Sequence, residues 1–275
     1  LKQLYELLED ARDVVAEKMV PNYRLEDVYR AVVYAFAHAA LREKGVGLRA
    51  LKPLEEGVPK PLLAIAKGEL LSKVHPIVKL VEHMLREGAP LLVRYETSLE
   101  RVIEEVKREA GRADTILAYD AMSIIEQVII SAFLKAQGIR TLFLRTFFLN
   151  PQGLTRFMTS QLPASGQQTL RGVAQHLASH LEARQHNKNS TIDQKVHETG
   201  ILGLDEFIKK VDISRIARQI LEASEKGTTL VLSDHGYDIV LSRRGGYLYV
   251  VHGFQGGADV ALLLLSRIST FMRVG

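Results

Sequence analysis

The chain has 275 residues, 47% of them hydrophobic and 25% charged, with a formal net charge of +4 and neither cysteine nor tryptophan. That size allows one large or two moderate domains with a substantial core, and the lack of cysteine excludes disulfides and thiolate metal sites, so any metal must be held by His, Asp and Glu. No apolar run reaches the roughly 18 residues a membrane span needs and no basic-then-apolar leader is visible, so the expectation is a cytoplasmic protein without membrane contact; the mild positive charge suits an anionic partner and leaves nucleic-acid binding undecided.

Residues 1–20 carry Leu4, Leu7, Leu8, Ala11, Val14 and Val15 at helical spacing, and Pro21-Asn22 ends the pattern. Residues 25–40 repeat it with Val28, Tyr29, Val32, Val33 and Phe36. A Gly- and Pro-rich stretch over 45–60 reads as loop, 61–68 and 70–86 as two further helices with a break at Pro76, and Thr97-Ser98-Leu99-Glu100 as a capping box opening a helix to about Ala110. His75 and His83 read as structural or solvated. Residues 1–111 are therefore expected to be a helical region, packing on the rest or binding a protein partner.

From residue 112 the pattern changes to α/β. Thr115 to Tyr119 is β-prone and ends in Asp120; 122–136 reads as a buried helix, with Ser123 at its start; 141–149 reads as a second strand. Strand, helix and strand at this spacing make a βαβ unit, hence a mostly parallel sheet with flanking helices. Residues 150–168 read as polar loop, 170–184 as helix, 185–191 as very polar and a poor strand, and 205–225 as one amphipathic helix. Thr228 to Leu232 is a strand ending in Ser233-Asp234-His235-Gly236. Residues 237–241 and 247–251 flank Arg243-Arg244-Gly245-Gly246 as a hairpin, and 256–272 is read as the last helix.

Ligands gather beyond the carboxyl ends of strands in open α/β sheets, which is where Asp120, Asp234 and His235 stand. Asp193 and His197, at i and i+4, share one face of a helical turn, and His252 follows the hairpin. Three aspartates and three histidines suffice for two metals with three protein ligands each, an arrangement suited to phosphoester chemistry. His176 and His180 are another i, i+4 pair, but without a Glu beside the first His they read as a solvated helix face.

The order and spacing of these residues resemble the alkaline phosphatase superfamily, in particular its PglZ domain branch, over roughly residues 112–275. Carried over, the resemblance implies that Asp193, His197 and His252 hold one divalent ion and Asp120, Asp234 and His235 the other, zinc first and manganese as the alternative. It implies a hydroxyl nucleophile in Leu162-Pro163-Ala164-Ser165-Gly166-Gln167-Gln168-Thr169, with Ser165 preferred over Thr169. The stretch from His252 to Val260 resembles a His-Gly-Gly-plus-short-helix ending. The implied activity is hydrolysis of an anionic phosphomonoester or phosphodiester. The alternative is a non-catalytic or weakly active PglZ-like interaction module, linked to nucleic acid or phage defence.

Overall fold

The computed structural model describes residues 2–68, 79, 94–96, 98–164, 166–198 and 202–275. Apart from Lys79, the helix expected over 70–86, with Pro76, His75 and His83, lies outside them, as do Thr97 and Ser165.

In chain order the helical region holds α1 (Lys2–Val14), prolonged by a π-helical turn over Val15–Met19, then α2 (Leu25–Glu43), α3 (Lys52–Glu55) and α4 (Lys60–Ala66). A short strand β1 (Arg94–Tyr95) precedes α5 (Leu99–Ala110), which is capped by Ser98, one residue after the expected Thr97. There follow β2 (Thr115–Tyr119), α6 (Ile124–Ala136), β3 (Thr141–Phe148), α7 (Thr155–Thr159) and α8 (Leu170–Leu181). The chain continues through β4 (Gln185–Asn189), α9 (Thr191–His197), β5 (Leu202–Gly203), α10 (Leu204–Lys210) and α11 (Ile213–Ser224). It ends in β6 (Thr229–Ser233), β7 (Asp238–Leu241), β8 (Leu248–Val251), β9 (Val260–Leu264) and β10 (Ser269–Val274).

The protein is α/β, but its strands form a mixed rather than a mostly parallel arrangement. The main sheet has the order β1-β3-β10-β6-β2-β4. β10 runs antiparallel to both of its neighbours, and the other pairings are parallel. A second sheet, β5-β8-β7-β9, is antiparallel throughout. The single helix expected over 256–272 is instead β9 and β10. Its apolar run fits either period, and insertion between β3 and β6 satisfies the backbone donors and acceptors of both strands. The short helix expected after His252 is likewise a loop leading into β9. The helix expected over 205–225 is split, because Asp212 caps α11 by accepting from the Arg215 N–H at 2.9 Å.

β4 is a strand despite its polar sequence. It lies at the sheet edge, parallel to β2, with its residues half-buried or exposed, so polar side chains cost little and blunt the open edge.

Alternation along the central strands sorts the core into two faces. Ile116, Ala118, Leu230, Leu232 and Phe271 face α5 and α8, whereas Tyr119, Val231 and Met272 share the other cluster with α1, α2, α6 and α11. The helical region therefore uses its apolar face inside the molecule. It is also tied to the α/β part by a polar bond. Fully buried Glu126 accepts from Tyr29 Oη of α2 at 2.8 Å, from Tyr237 Oη at 2.5 Å, and from the Ser123 N–H at 2.9 Å. Ser123 and Glu126 together form the capping box of α6, so Ser123 is the helix-start residue expected.

Tyr29→Phe removes one donor to this buried carboxyl and should lower stability by about 1–2 kcal/mol. Glu126→Ala strands several buried groups and should cost at least about 3 kcal/mol. Urea melts of both variants check this; a neutral Tyr29→Phe would show that this bond does not fasten the helical region.

Candidate metal centre

β2 and β6 pair in parallel register, with Tyr119 opposite Ser233. The next residues, Asp120 and Asp234, consequently leave the same edge of the sheet side by side. β4 lies in register too, with Asn189 opposite Tyr119, which puts Ser190 beside Asp120; the Ser190 hydroxyl donates to Asp120 Oδ2 at 3.3 Å. Ala121, directly after Asp120, adopts the left-handed region at φ 59°, and its N–H donates to the Asp234 carboxylate. Such a conformation costs a non-glycine residue roughly 1–2 kcal/mol. Gly236 is required for a different reason: a Cβ there would meet the Leu265 carbonyl oxygen at 2.7 Å and Ser123 Cβ at 3.0 Å.

All six residues singled out as ligands come together. His235 Nε2 is 3.4 Å from Asp120 Oδ1 and 3.7 Å from Asp234 Oδ2. Asp193 Oδ1 lies 3.4 Å from both His197 Nε2 and His252 Nε2, and the two imidazole nitrogens are 2.6 Å apart. The expected grouping places Asp193 in one trio only. In the structure Asp193, His197 and His252 form one group whose ligand atoms lie within 4.8 Å, and Asp120, Asp193 and His235 form another, so Asp193 belongs to both. The cluster runs from the surface, where the His197 side chain is 62% exposed, to the interior, where Asp234 is fully buried.

The donor set fits divalent ions. Ligand atoms about 2.0–2.1 Å from a tetrahedral zinc stand about 3.3 Å from one another, close to most of the separations above. Asp234 Oδ2 is buried with no hydrogen-bond partner among the described residues, and a buried, unpaired carboxylate oxygen is costly. The orientation of His235 is set from behind, Nδ1 standing 2.8 Å from the Gly236 carbonyl oxygen and Nε2 facing the carboxylates. A ligating histidine is commonly fixed through its other nitrogen in this way.

The electrostatics carry the mark of crowded like charge. Burial and then neighbouring Asp234 push Asp120 up to about 6. Burial and Asp120 raise Asp193, and burial raises Asp234. Burial pulls His235 down, but Asp234, the Gly236 carbonyl and Asp120 more than offset it and hold it above its ordinary value. Burial, with His235 and His197 adding to it, pulls His252 down to about 4.

Of the two hydroxyls expected as nucleophile, Ser165 lies outside the described residues and Thr169 has a structural role. Thr169 is the N-cap of α8, its Oγ1 accepting from the Gly172 N–H at 3.2 Å. Besides Ser190, the described hydroxyl at the cluster is Thr155, the first residue of α7 in a segment read as loop. Its Oγ1 is 3.2 Å from both Asp120 Oδ1 and His235 Nε2. Buried Asn150 shapes the turn that delivers it, donating to the Leu154 carbonyl at 2.8 Å and accepting from the Leu154 N–H at 3.1 Å. Gly153 takes φ +62°, and a Cβ there would lie 2.5 Å from Ser266 Oγ. The turn signal Asn150-Pro151-Gln152-Gly153 just before Leu154-Thr155 was the available sequence clue. Asp238, also overlooked, is buried and accepts from the Ser266 N–H and hydroxyl and from the Phe254 N–H at 3.0 Å. It thereby anchors the loop that carries His252.

No protein-family model matches the chain, and no curated protein or solved structure matches it. Among the described residues no helix is long and apolar enough to cross a membrane.

In the metal-free protein the raised pKa of Asp120 has a consequence of definite sign. A carboxyl whose folded value lies above its unfolded one loses stability as pH rises through that interval, here from 3.8 to about 6. Asp120→Asn should match the wild type in chelator at pH 4 and exceed it at pH 7 by up to about 3 kcal/mol. Urea melts at the two pH values measure the difference; equal stability at pH 7 would remove the account by burial and like charge.

Proposed function

We propose that the chain is a metal-dependent phosphoester hydrolase with an alkaline phosphatase-like core of the PglZ type. The observation that carries the reading is the convergence of Asp120, Asp193, His197, His235 and His252 into two ligand groups that share Asp193, with the unpaired Oδ2 of Asp234 3.7 Å from His235 Nε2. The main sheet supports the core assignment, since β1, β3, β6, β2 and β4 point one way and only β10 opposes them.

Asp193, His197 and His252 would hold one divalent ion, and Asp120, Asp234 and His235 the other, with Asp193 placed to reach both. Bound there, such ions offset the three carboxylates, lower the pKa of a nearby hydroxyl and stabilise charge developing on phosphoryl oxygens. Zinc suits the mixed carboxylate and imidazole set, and manganese is the alternative. Thr155, which touches both Asp120 and His235, is the nucleophile of this reading in place of Thr169, which caps α8. Its Oγ1 forms the bond to phosphorus as the ester oxygen departs, and water then releases the phosphoryl group from the enzyme. Asn150 and Gly153 hold the turn that aims this hydroxyl, and Ser190 fixes the Asp120 carboxylate.

Zinc- and manganese-loaded protein should hydrolyse p-nitrophenyl phosphate or bis-p-nitrophenyl phosphate, the better substrate separating monoesterase from diesterase. Asp234→Ala should lose both bound metal and turnover. Thr155→Ala should keep its metal and lose turnover by at least about 100-fold, the scale set by removing a principal catalytic group. Unchanged metal content in Asp234→Ala would overturn the centre. Metal binding without turnover on either ester, in the presence of intact Thr155, would leave the interaction-module alternative instead.

A further inference from the structure

We infer that the protein has a second, separate site for a divalent transition metal, formed by His176 and His180 of α8 with Glu100 of α5. The sequence gives no reason to prefer these residues over a solvated helix face, because the third member is 76 positions away from His176. The fold supplies it. Glu100 Oε1 is 2.7 Å from His176 Nε2, and the His176 and His180 rings meet edge-on with centroids 4.6 Å apart. One ligand atom from each of the three residues lies within 4.8 Å of the other two.

The backbone beneath this trio is fixed before any ion arrives. α5 presents Val102, Ile103 and Val106, and α8 presents Val173, Ala174 and Leu177, to one buried cluster. The helices are thus locked together by apolar packing, and the two histidines, one helical turn apart, project from the flank facing Glu100. A plain ion pair would account for His176 with Glu100 but gives no role to His180. Two imidazoles and a carboxylate are the donor set that zinc accepts, and three protein ligands leave a coordination position open. That position is near a groove of about 460 Å³ lined by His176, Gln175 and Ser179 of α8 and by Leu162, Pro163 and Gln167. Water or a small anion in the groove would complete the coordination. An ion here cross-links α5 to α8 on the sheet face opposite α1–α4.

The inference stands independently of the phosphoesterase reading, and ion counting separates the two. Chelator-stripped protein is titrated with zinc by calorimetry and with cobalt(II) by visible absorption. Three ions per chain are expected if both centres bind, one if only this site does. Asp234→Ala should retain the ion at this site, and adding His176→Gln and His180→Gln should abolish it together with its cobalt spectrum. In the otherwise wild-type chain the same double substitution should remove one ion and leave ester hydrolysis within about twofold, since these residues are remote in role from the nucleophile. Glu100→Gln, on a half-exposed side chain, should weaken this ion at least about tenfold, because losing a direct carboxylate ligand costs no less than the tenfold that losing an outer-shell partner costs. It serves as the test if the double variant does not fold by circular dichroism. Ion number and affinity unchanged by these substitutions would overturn the site.

Discussion

The parallel pairing of β2 with β6 forces Asp120 and Asp234 to emerge next to one another where the sheet ends and water is excluded. Burial pushes both toward their protonated forms, and the neighbouring Asp234 charge adds to it at Asp120. The surrounding features can be understood as responses to that constraint. Ala121 accepts a left-handed backbone to turn an N–H on Asp234, Ser190 donates to Asp120, and His235 is held with its Nε2 between the two carboxylates. None of this removes the excess of negative charge.

Three buried polar residues fasten the loops that deliver the rest of the cluster. Asn150 closes the turn before Thr155, Asp238 gathers the loop after His252, and Glu126 binds Tyr237, which follows directly on Asp234-His235-Gly236. Each is satisfied by several hydrogen bonds, which is what makes a buried polar group a source of rigidity rather than a defect. Because Glu126 also accepts from Tyr29, the helical region contributes to the support behind His235. That region is built into the molecule through its apolar face as well, sharing one core with α6, α11 and the second sheet.

The local elements with strong periodicity were legible from residues alone. The residues place β2 at its observed ends and β6 within one residue of them, mark the hairpin of β7 and β8, and locate α1, α2, α6 and α8 within a few residues. Where the reading departed from the structure, the cause was context. β4 is polar because it is an edge strand, and edges tolerate what central strands do not. β10 looked helical because an apolar run has no preferred period until it is paired. α7 is a single short helix behind an Asn-Pro turn, too brief to carry a periodic signal, and with it Thr155 escaped notice.

By itself the sequence determined the chemistry that is available: no thiolates, strand-end aspartates, an Asp-His-Gly turn, and an Asp and a His one helical turn apart in α9. These are local facts, readable because the backbone period places neighbours on a known face or at a known end. Only the tertiary structure decided which of them meet. Strand register set Asp120 beside Asp234, the packing of α9 against the second sheet brought Asp193 within reach of both groups, and two loops put Thr155 at the cluster and Thr169 at the start of α8. The reason is that such distances depend on contacts between residues tens of positions apart, which no local pattern encodes.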